Sequence, residues 1–206
     1  MPTLRQRFFA WMLKKGDNVN DKLYRDIKRE LFSDIQGTVV EIGPDTGINF
    51  LYLPKNIEWI GIEPNEAFHE SVISAAHKQN IRSSMLSSSA ESISLPDESA
   101  DIVISTLVLC SVPDQGKVLA EAKRILKKNG KLIFIEHVAD KKGTFRRSAQ
   151  NIFNPINRVI ADGCNCNRET WKQIEKAGFS SCEIHHTIMK GTMALHAPHI
   201  IGYSKK

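Results

Sequence analysis

The stretch Val39-Val40-Glu41-Ile42-Gly43-Pro44-Asp45-Thr46-Gly47 sets an acid near the end of an apolar run and two glycines just beyond it. A second apolar run, Trp59-Ile60-Gly61-Ile62, ends in Glu63, 22 residues after Glu41. In an open α/β sheet, a glycine-bearing loop after the first strand and an acid at the tip of the second hold a nucleoside. The acid accepts hydrogen bonds from two ribose hydroxyls, and the glycines let the backbone come close to the ligand. The plain alternatives are a structural turn at Gly47 and a surface acid at Glu63.

The ligand's charge narrows its identity. Dinucleotide sites carry G-x-G-x-x-G, with a helix N-terminus aimed at a pyrophosphate. Here the glycines are four apart with Asp45 between them. An anionic side chain there repels a pyrophosphate and favours a cation. S-adenosylmethionine carries a sulfonium and an ammonium and no phosphate, so the pattern fits a methyl donor better than a nicotinamide dinucleotide.

Residues able to move a proton follow later in the chain. His137 and Glu136 close a strand-like run, and Asp162 and His199 stand in irregular or strand-end positions. For each, a structural hydrogen bond is the competing role. The four cysteines, Cys110, Cys164, Cys166 and Cys182, form no C-x-x-C pair, and their spacing indicates neither a zinc site nor a disulfide framework. Cys164-Asn165-Cys166 with His185-His186 is a conceivable ligand set. However, adjacent histidines on a strand face opposite ways, so only one of the two can join it. The expectation is no metal, with Cys110 a packed thiol.

These residues need a frame to bring them together. At 206 residues the chain has the size of one domain. Helical patterning covers 3–15 and 20–33, then 47–52, 66–79, 115–127, 144–161 and 168–177, with a break expected at Pro155. Strands are expected at 38–42, 58–62, 82–87, 101–109, 131–138, 180–188 and 199–204. The run Asp101–Leu109 is nearly all apolar, as a strand buried on both faces should be. Asn129-Gly130 reads as a helix stop. Only an irregular segment separates the last two strands, so they must pair antiparallel. The expected fold is α/β: a Rossmann-like, seven-stranded, mostly parallel sheet with a C-terminal antiparallel hairpin and helices on both faces. Residues 1–206 form one domain, with 1–35 a helical cap and 36–206 the core.

Composition excludes several classes. Hydrophobic residues make up 41% and charged residues 25%, with a net charge of +5. Residues 1–32 hold eight Lys/Arg against four Asp/Glu, too mild a bias for a nucleic-acid surface. No apolar run is long enough to span a bilayer. Phe8-Phe9-Ala10-Trp11-Met12-Leu13, flanked by Arg5, Arg7, Lys14 and Lys15, is either an amphipathic helix on a membrane surface or a lid over the core.

Five blocks in order resemble the class I S-adenosylmethionine-dependent methyltransferases of the small-molecule type: Glu41 to Gly47; Gly61-Ile62-Glu63-Pro64-Asn65; Ala90-Glu91 followed by Leu95-Pro96-Asp97; Asp101 to Leu107; and Glu121 to Gly130. Within them the chain is most similar to the thiol S-methyltransferase-like group. The features are Thr106 to Val112, Ile135-Glu136-His137-Val138, Asp162-Gly163-Cys164-Asn165 with Arg168-Glu169-Thr170-Trp171, and Pro198 to Tyr203. The resemblance implies that Glu41, Gly43, Asp45 and Gly47 line the methionine end of the cofactor, with Glu63 and Pro64 at the ribose. It puts Ala90 and Glu91 at the adenine, and Thr106 and Leu107 under the transferring methyl. His137 and Asp162 become the catalytic candidates. Two departures stand out. The family usually has glycine where this chain has Asp45, and its eukaryotic members carry an N-terminal membrane anchor not matched here. The expectation is a cytoplasmic protein, membrane-peripheral at most through its N-terminal helix, a monomer or homodimer with no nucleic-acid partner.

The acceptor follows from what is missing. The central strand does not end in an N-P-P-Y turn for amide or base nitrogens, and no acidic triad for a magnesium-dependent catechol enzyme is visible. The small cap leaves room for a small lipophilic molecule. A thiol leads. The alternatives are C- or O-methylation of a quinone precursor, N-methylation of a lipid headgroup, and a catalytically silent protein that binds the cofactor.

Overall fold

A computed structural model describes residues 21–161 and 163–206. The expected helix over 3–15, much of the 1–35 cap and Asp162 lie outside the described residues. Seven strands form one sheet: β1 (Thr38–Ile42), β2 (Glu58–Ile62), β3 (Arg82–Leu86), β4 (Ala100–Thr106), β5 (Leu126–His137), β6 (Ser181–Ile188) and β7 (Pro198–Lys205). Their order is β3-β2-β1-β4-β5-β7-β6. The first five run parallel, whereas β7 pairs antiparallel with both β5 and β6. The chain leaves β1 toward β2 and β3, then returns to place β4 on the other side of β1. This reversal opens a crevice at the C-terminal ends of β1 and β4, where such sheets bind ligands.

Alternation along the central strands builds two cores. Val40, Val103, Leu132 and Phe134 face one side, against α3 (Gln115–Ile125) through Val118, Leu119 and Ala122, and against α5 (Thr170–Lys176) through Ile174. Val39, Ile102, Ile104 and Ile133 face the other. There they meet Phe32 of α1 (21–32), Phe50, and Val72 and Ala76 of α2 (His69–Lys78). A central strand covered on both faces has no polar face to show, which is why 101–106 reads as a continuous apolar run.

Three elements depart from expectation. β4 stops at Thr106 rather than Leu109, for a reason that belongs to the site. α3 ends at Ile125, because Leu126 already pairs with Ala100, while Asn129 takes the left-handed turn (φ 66°) inside β5. Helix α4 (Phe145–Ile160) runs unbroken through Pro155. Both of its halves are pinned from the side. The Gln150 carbonyl accepts from the Asp140 N–H, and its amide donates to the Val138 and Leu195 carbonyls. Asn154 and Asn157 donate to Asn165 Oδ1 and the Cys164 carbonyl. The single backbone hydrogen bond lost at proline does not outweigh these anchors. The outer face of α4 leaves Ile152, Ile156, Val159 and Ile160 exposed. Among the described residues no helix is long and apolar enough to cross a membrane.

Candidate functional site: a cleft at the sheet's switch point

The cleft is lined by Gly43, Pro44, Asp45 and Thr46 after β1, by Thr106 and Leu107 after β4, by Asn49, and by the buried Tyr24 and Lys28 of α1. Gly43 has φ +60°, and a Cβ on it would lie 2.6 Å from Val108 Cγ2. Only glycine lets the two loops approach this closely. Asp45 also takes the left-handed conformation, at φ 47°. The turn is therefore made with aspartate at this position, since Asp tolerates this region better than most residues.

Glu41 forms the floor. It is 2% exposed, and its carboxylate accepts from Asn49 Nδ2 at 2.6 Å and from Trp59 Nε1 at 2.9 Å. Burial pushes its pKa up, opposed by those two donors and by the Lys28 ammonium. Asn49 Nδ2 also reaches Thr106 Oγ1 at 3.2 Å, which ties the two strand ends together. That fixes the Asn49 amide with Oδ1 buried and without a hydrogen-bond partner among the described residues. An orphaned acceptor there is a vacancy for a ligand donor.

The β4 turn is held by Glu136. Its carboxylate accepts from Ser105 Oγ (2.6 Å) and from the N–H groups of Val108 (3.1 Å), Leu109 (3.1 Å) and Cys110 (3.4 Å). These backbone donors leave the sheet ladder to reach it, so β4 ends at Thr106 and Leu107 swings to φ 60°. Complete burial pushes Glu136 up to about 7, against the pull of its four donors. Its oxygens hold a turn, so it is a positioning residue and not a free base.

Behind this wall lies a group of thiols and imidazoles. Tyr24 Oη stands 2.8 Å from His199 Nε2, and His199 Nδ1 lies 3.0 Å from the Ala197 carbonyl. A carbonyl only accepts, so Nδ1 carries the hydrogen and Nε2 accepts from the tyrosine hydroxyl. Burial, with His137 and His196 nearby, lowers His199 to about 3. The His199 ring meets His137 edge-on at 4.7 Å. His137 Nδ1 in turn lies 4.0 Å from Cys110 Sγ and 3.9 Å from Cys164 Sγ, and the two sulfurs are 3.5 Å apart. The contact between the sulfurs pushes the Cys110 thiol up and, helped by His137 and His196, holds Cys164 low.

The structure thus brings Glu41, Gly43, Asp45, Thr106 and Leu107 to one cleft, with Gly47 buried just beneath as the left-handed residue before the short helix Ile48–Leu51. Glu63 sits beside it at the end of β2, where its Oε1 accepts from the Asn65 N–H at 2.7 Å. Gly43 N donates to the Ile62 carbonyl, which keeps the two loops adjacent. Pro64 is exposed. Ala90 and Glu91 lie in the loop after β3, where Glu91 accepts from Ser89 Oγ and from the Asp114 N–H. His137 is not in the cleft wall but two rings behind Tyr24. Tyr24, Lys28 and Asn49 escaped the sequence reading. The one available signal was Tyr24 and Lys28 at spacing four, on one face of a helix. Cys110, His137 and Cys164, which share no local spacing in the sequence, also come together.

The residues of the cleft complement an ionic ligand of mixed sign. Lys28 suits a carboxylate, Glu41, Asp45 and the Asn49 carbonyl suit an ammonium and a sulfonium, and Glu63 suits a diol. S-adenosylmethionine carries all four groups.

Comparisons with known proteins bear on this cleft. The methyltransferase domain family matches residues 40–134. The chain is 32% identical to thiol S-methyltransferase TMT1A of Homo sapiens, covering 98% of this chain and 87% of that protein. It is 37% identical to thiol S-methyltransferase TMT1B of Rattus norvegicus, covering 97% and 86%. Among solved structures, a SAM-dependent methyltransferase of Thermotoga maritima, described as a possible histamine N-methyltransferase, superposes with a TM-score of 0.70 at 22% identity, covering 97% of both chains.

Proposed function

The chain belongs to the thiol S-methyltransferase family of S-adenosylmethionine-dependent methyltransferases, and from that premise we propose that it methylates a small lipophilic thiol on sulfur. The observation that carries the proposal is the Gly43–Thr106 cleft, with a donor and acceptor set that matches the cofactor and the buried Tyr24 in its lining. The cofactor supplies an electrophilic methyl on a sulfonium.

The chain's own residues align and desolvate. Gly43, Asp45 and Gly47 hold the methionine end over the floor made by Glu41 and Asn49. Glu63 takes the ribose hydroxyls, with its carboxylate already oriented by the Asn65 N–H. Ala90 and Glu91 lie on the adenine side. Thr106 and Leu107, fixed by the Glu136 turn, would border the reacting centre. In-line displacement needs the acceptor sulfur held opposite the leaving sulfur, and such positioning accounts for most of the acceleration. A thiol ionises near ~8.5, so its deprotonation needs only modest help. An alcohol would need a strong base, whereas Glu41 at the floor and Glu136 behind the β4 turn are both engaged in hydrogen bonds.

The test is competition. Purified protein with S-adenosylmethionine is offered an equimolar panel of aliphatic and aromatic thiols, a quinol, and phosphatidylethanolamine, and products are identified by mass spectrometry. Methyl thioethers alone are expected. Methylated quinol or lipid without thioether overturns the acceptor assignment.

A further inference from the structure

We propose that Cys110, Cys164 and His137, with His196 as fourth ligand, form a binding site for a soft divalent cation of the zinc type. The inference goes beyond the methyl-transfer reading and stands whatever the acceptor proves to be.

The geometry carries it. The three ligand atoms of Cys110, His137 and Cys164 lie within 4.8 Å of one another. The sulfurs are 3.5 Å apart, and His137 Nδ1 is 3.9 and 4.0 Å from them. A tetrahedral zinc ion with ordinary Zn–S and Zn–N bonds sets S···S at about 3.8 Å and S···N at about 3.6 Å. Each edge of the observed triangle is therefore within a few tenths of an ångström of what the ion requires.

The fourth position has its own candidate. His196 lies outside the group whose ligand atoms are all within 4.8 Å of one another and would have to close in on the ion; it is 7% exposed, its Nδ1 is buried with no hydrogen-bond partner among the described residues, and its ring lies 5.0 Å from that of His137. A buried ring nitrogen without a partner is costly in a folded protein, and a metal bond relieves it. Two thiolates and two neutral imidazoles around a divalent cation carry no net charge, which suits a site buried this deeply. Binding forms four dative bonds and releases the thiol protons to solvent, with no change of oxidation state.

The ligands come from four separate segments: the turn after β4, the end of β5, the loop after α4, and the short helix Ala194–His196 before β7. Those segments already meet through hydrogen bonds. Asn165 N donates to the Cys110 carbonyl at 2.9 Å, and Arg168 Nη1 donates to the Leu109 and Val112 carbonyls. His199, which bonds Tyr24 at the cleft, packs on the outer side of His137. A metal here cross-links the rear wall of the cleft.

Zinc is the probe. Full-length protein is treated with reductant and chelator, exchanged into buffer, and titrated with Zn²⁺ against a chromogenic competitor, then with Co²⁺ for its absorption spectrum. One equivalent of zinc is expected, together with thiolate-to-cobalt charge transfer, tetrahedral d–d bands and a rise in Tm. Cys110→Ser and Cys164→Ser should each weaken zinc binding about tenfold or more, while Cys182→Ser, an exposed thiol on β6, should leave it unchanged. Far-UV circular dichroism checks that each variant is folded, and the wild-type cobalt spectrum decides the matter if a variant is not. No stoichiometric zinc, an octahedral cobalt spectrum, or a Cys110–Cys164 disulfide that zinc does not prevent would each overturn the proposal, the last in favour of a redox pair.

Discussion

Replacing Gly43 by alanine should disable both the turn and the cleft. The new Cβ would sit 2.6 Å from Val108 Cγ2 and 3.2 Å from Cγ1. Ordinary carbon contacts begin at about 3.5 Å, so the shorter distance is roughly 1 Å too close. Val108 cannot retreat freely, because its N–H is one of the donors that bind Glu136 and end β4. Relieving such overpacking costs about 1–3 kcal/mol. The left-handed backbone at φ +60° adds about 1–2 kcal/mol for any residue with a Cβ. The sum is a loss of roughly 2–5 kcal/mol, or a fall in Tm of roughly 4–20 °C for a chain of this size. Thermal unfolding by circular dichroism reads the first effect, and isothermal titration with S-adenosylmethionine reads the second, a loss of affinity beyond about tenfold. A variant with wild-type Tm and affinity within twofold would refute the claim that contact between these two loops shapes the site.

Other perturbations probe separate parts of the site. Glu63→Ala should weaken cofactor binding by about 1–3 kcal/mol while the fold survives, and unchanged affinity removes its ribose role. Asp45→Gly should keep or improve cofactor affinity, because the φ 47° backbone suits glycine at least as well; a large loss would mean that the carboxylate itself contacts the ligand. His199 is neutral in the fold, with its pKa lowered from 6.5 to about 3. Its contribution to stability is thus complete above pH 6.5 and is lost as pH falls toward 3, by up to about 1.4 kcal/mol per unit. His199→Gln should flatten the acid limb of a denaturation series, and an unchanged slope would show that His199 does not set it.

Much of this was legible because the signals are local. β1 and β2 fall where their apolar runs and following loops put them, and the C-terminal hairpin follows from the lack of a helix between its strands. The residues that wall the cleft after β1 and β4 were within reach of the sequence, through glycine spacing and the family resemblance, because each set sits in one short segment. What was not legible is long-range. β4 appeared three residues longer because Leu107-Val108-Leu109 is as apolar as the strand. Only Glu136, on the neighbouring strand, pulls the N–H groups of Val108, Leu109 and Cys110 away. Pro155 predicted a break that Gln150, Asn154 and Asn157 prevent, through partners as distant as Leu195. Cys110, His137, Cys164 and His196 share no motif spacing, and they meet only because β4, β5 and β7 lie side by side. Tyr24 and Lys28 reach the cleft from a helix whose pattern reads simply as amphipathic.

The most direct test of the central claim is the fate of a deuterium-labelled methyl on S-adenosylmethionine, followed with an aromatic thiol and purified protein. The account predicts the label on the thiol sulfur with wild type and its disappearance with Gly43→Val, whose side chain would drive the Val108 loop out of place. Labelled thioether formed equally well by Gly43→Val would contradict the assignment of this cleft, and no labelled thioether from wild type with any thiol would contradict sulfur as the acceptor.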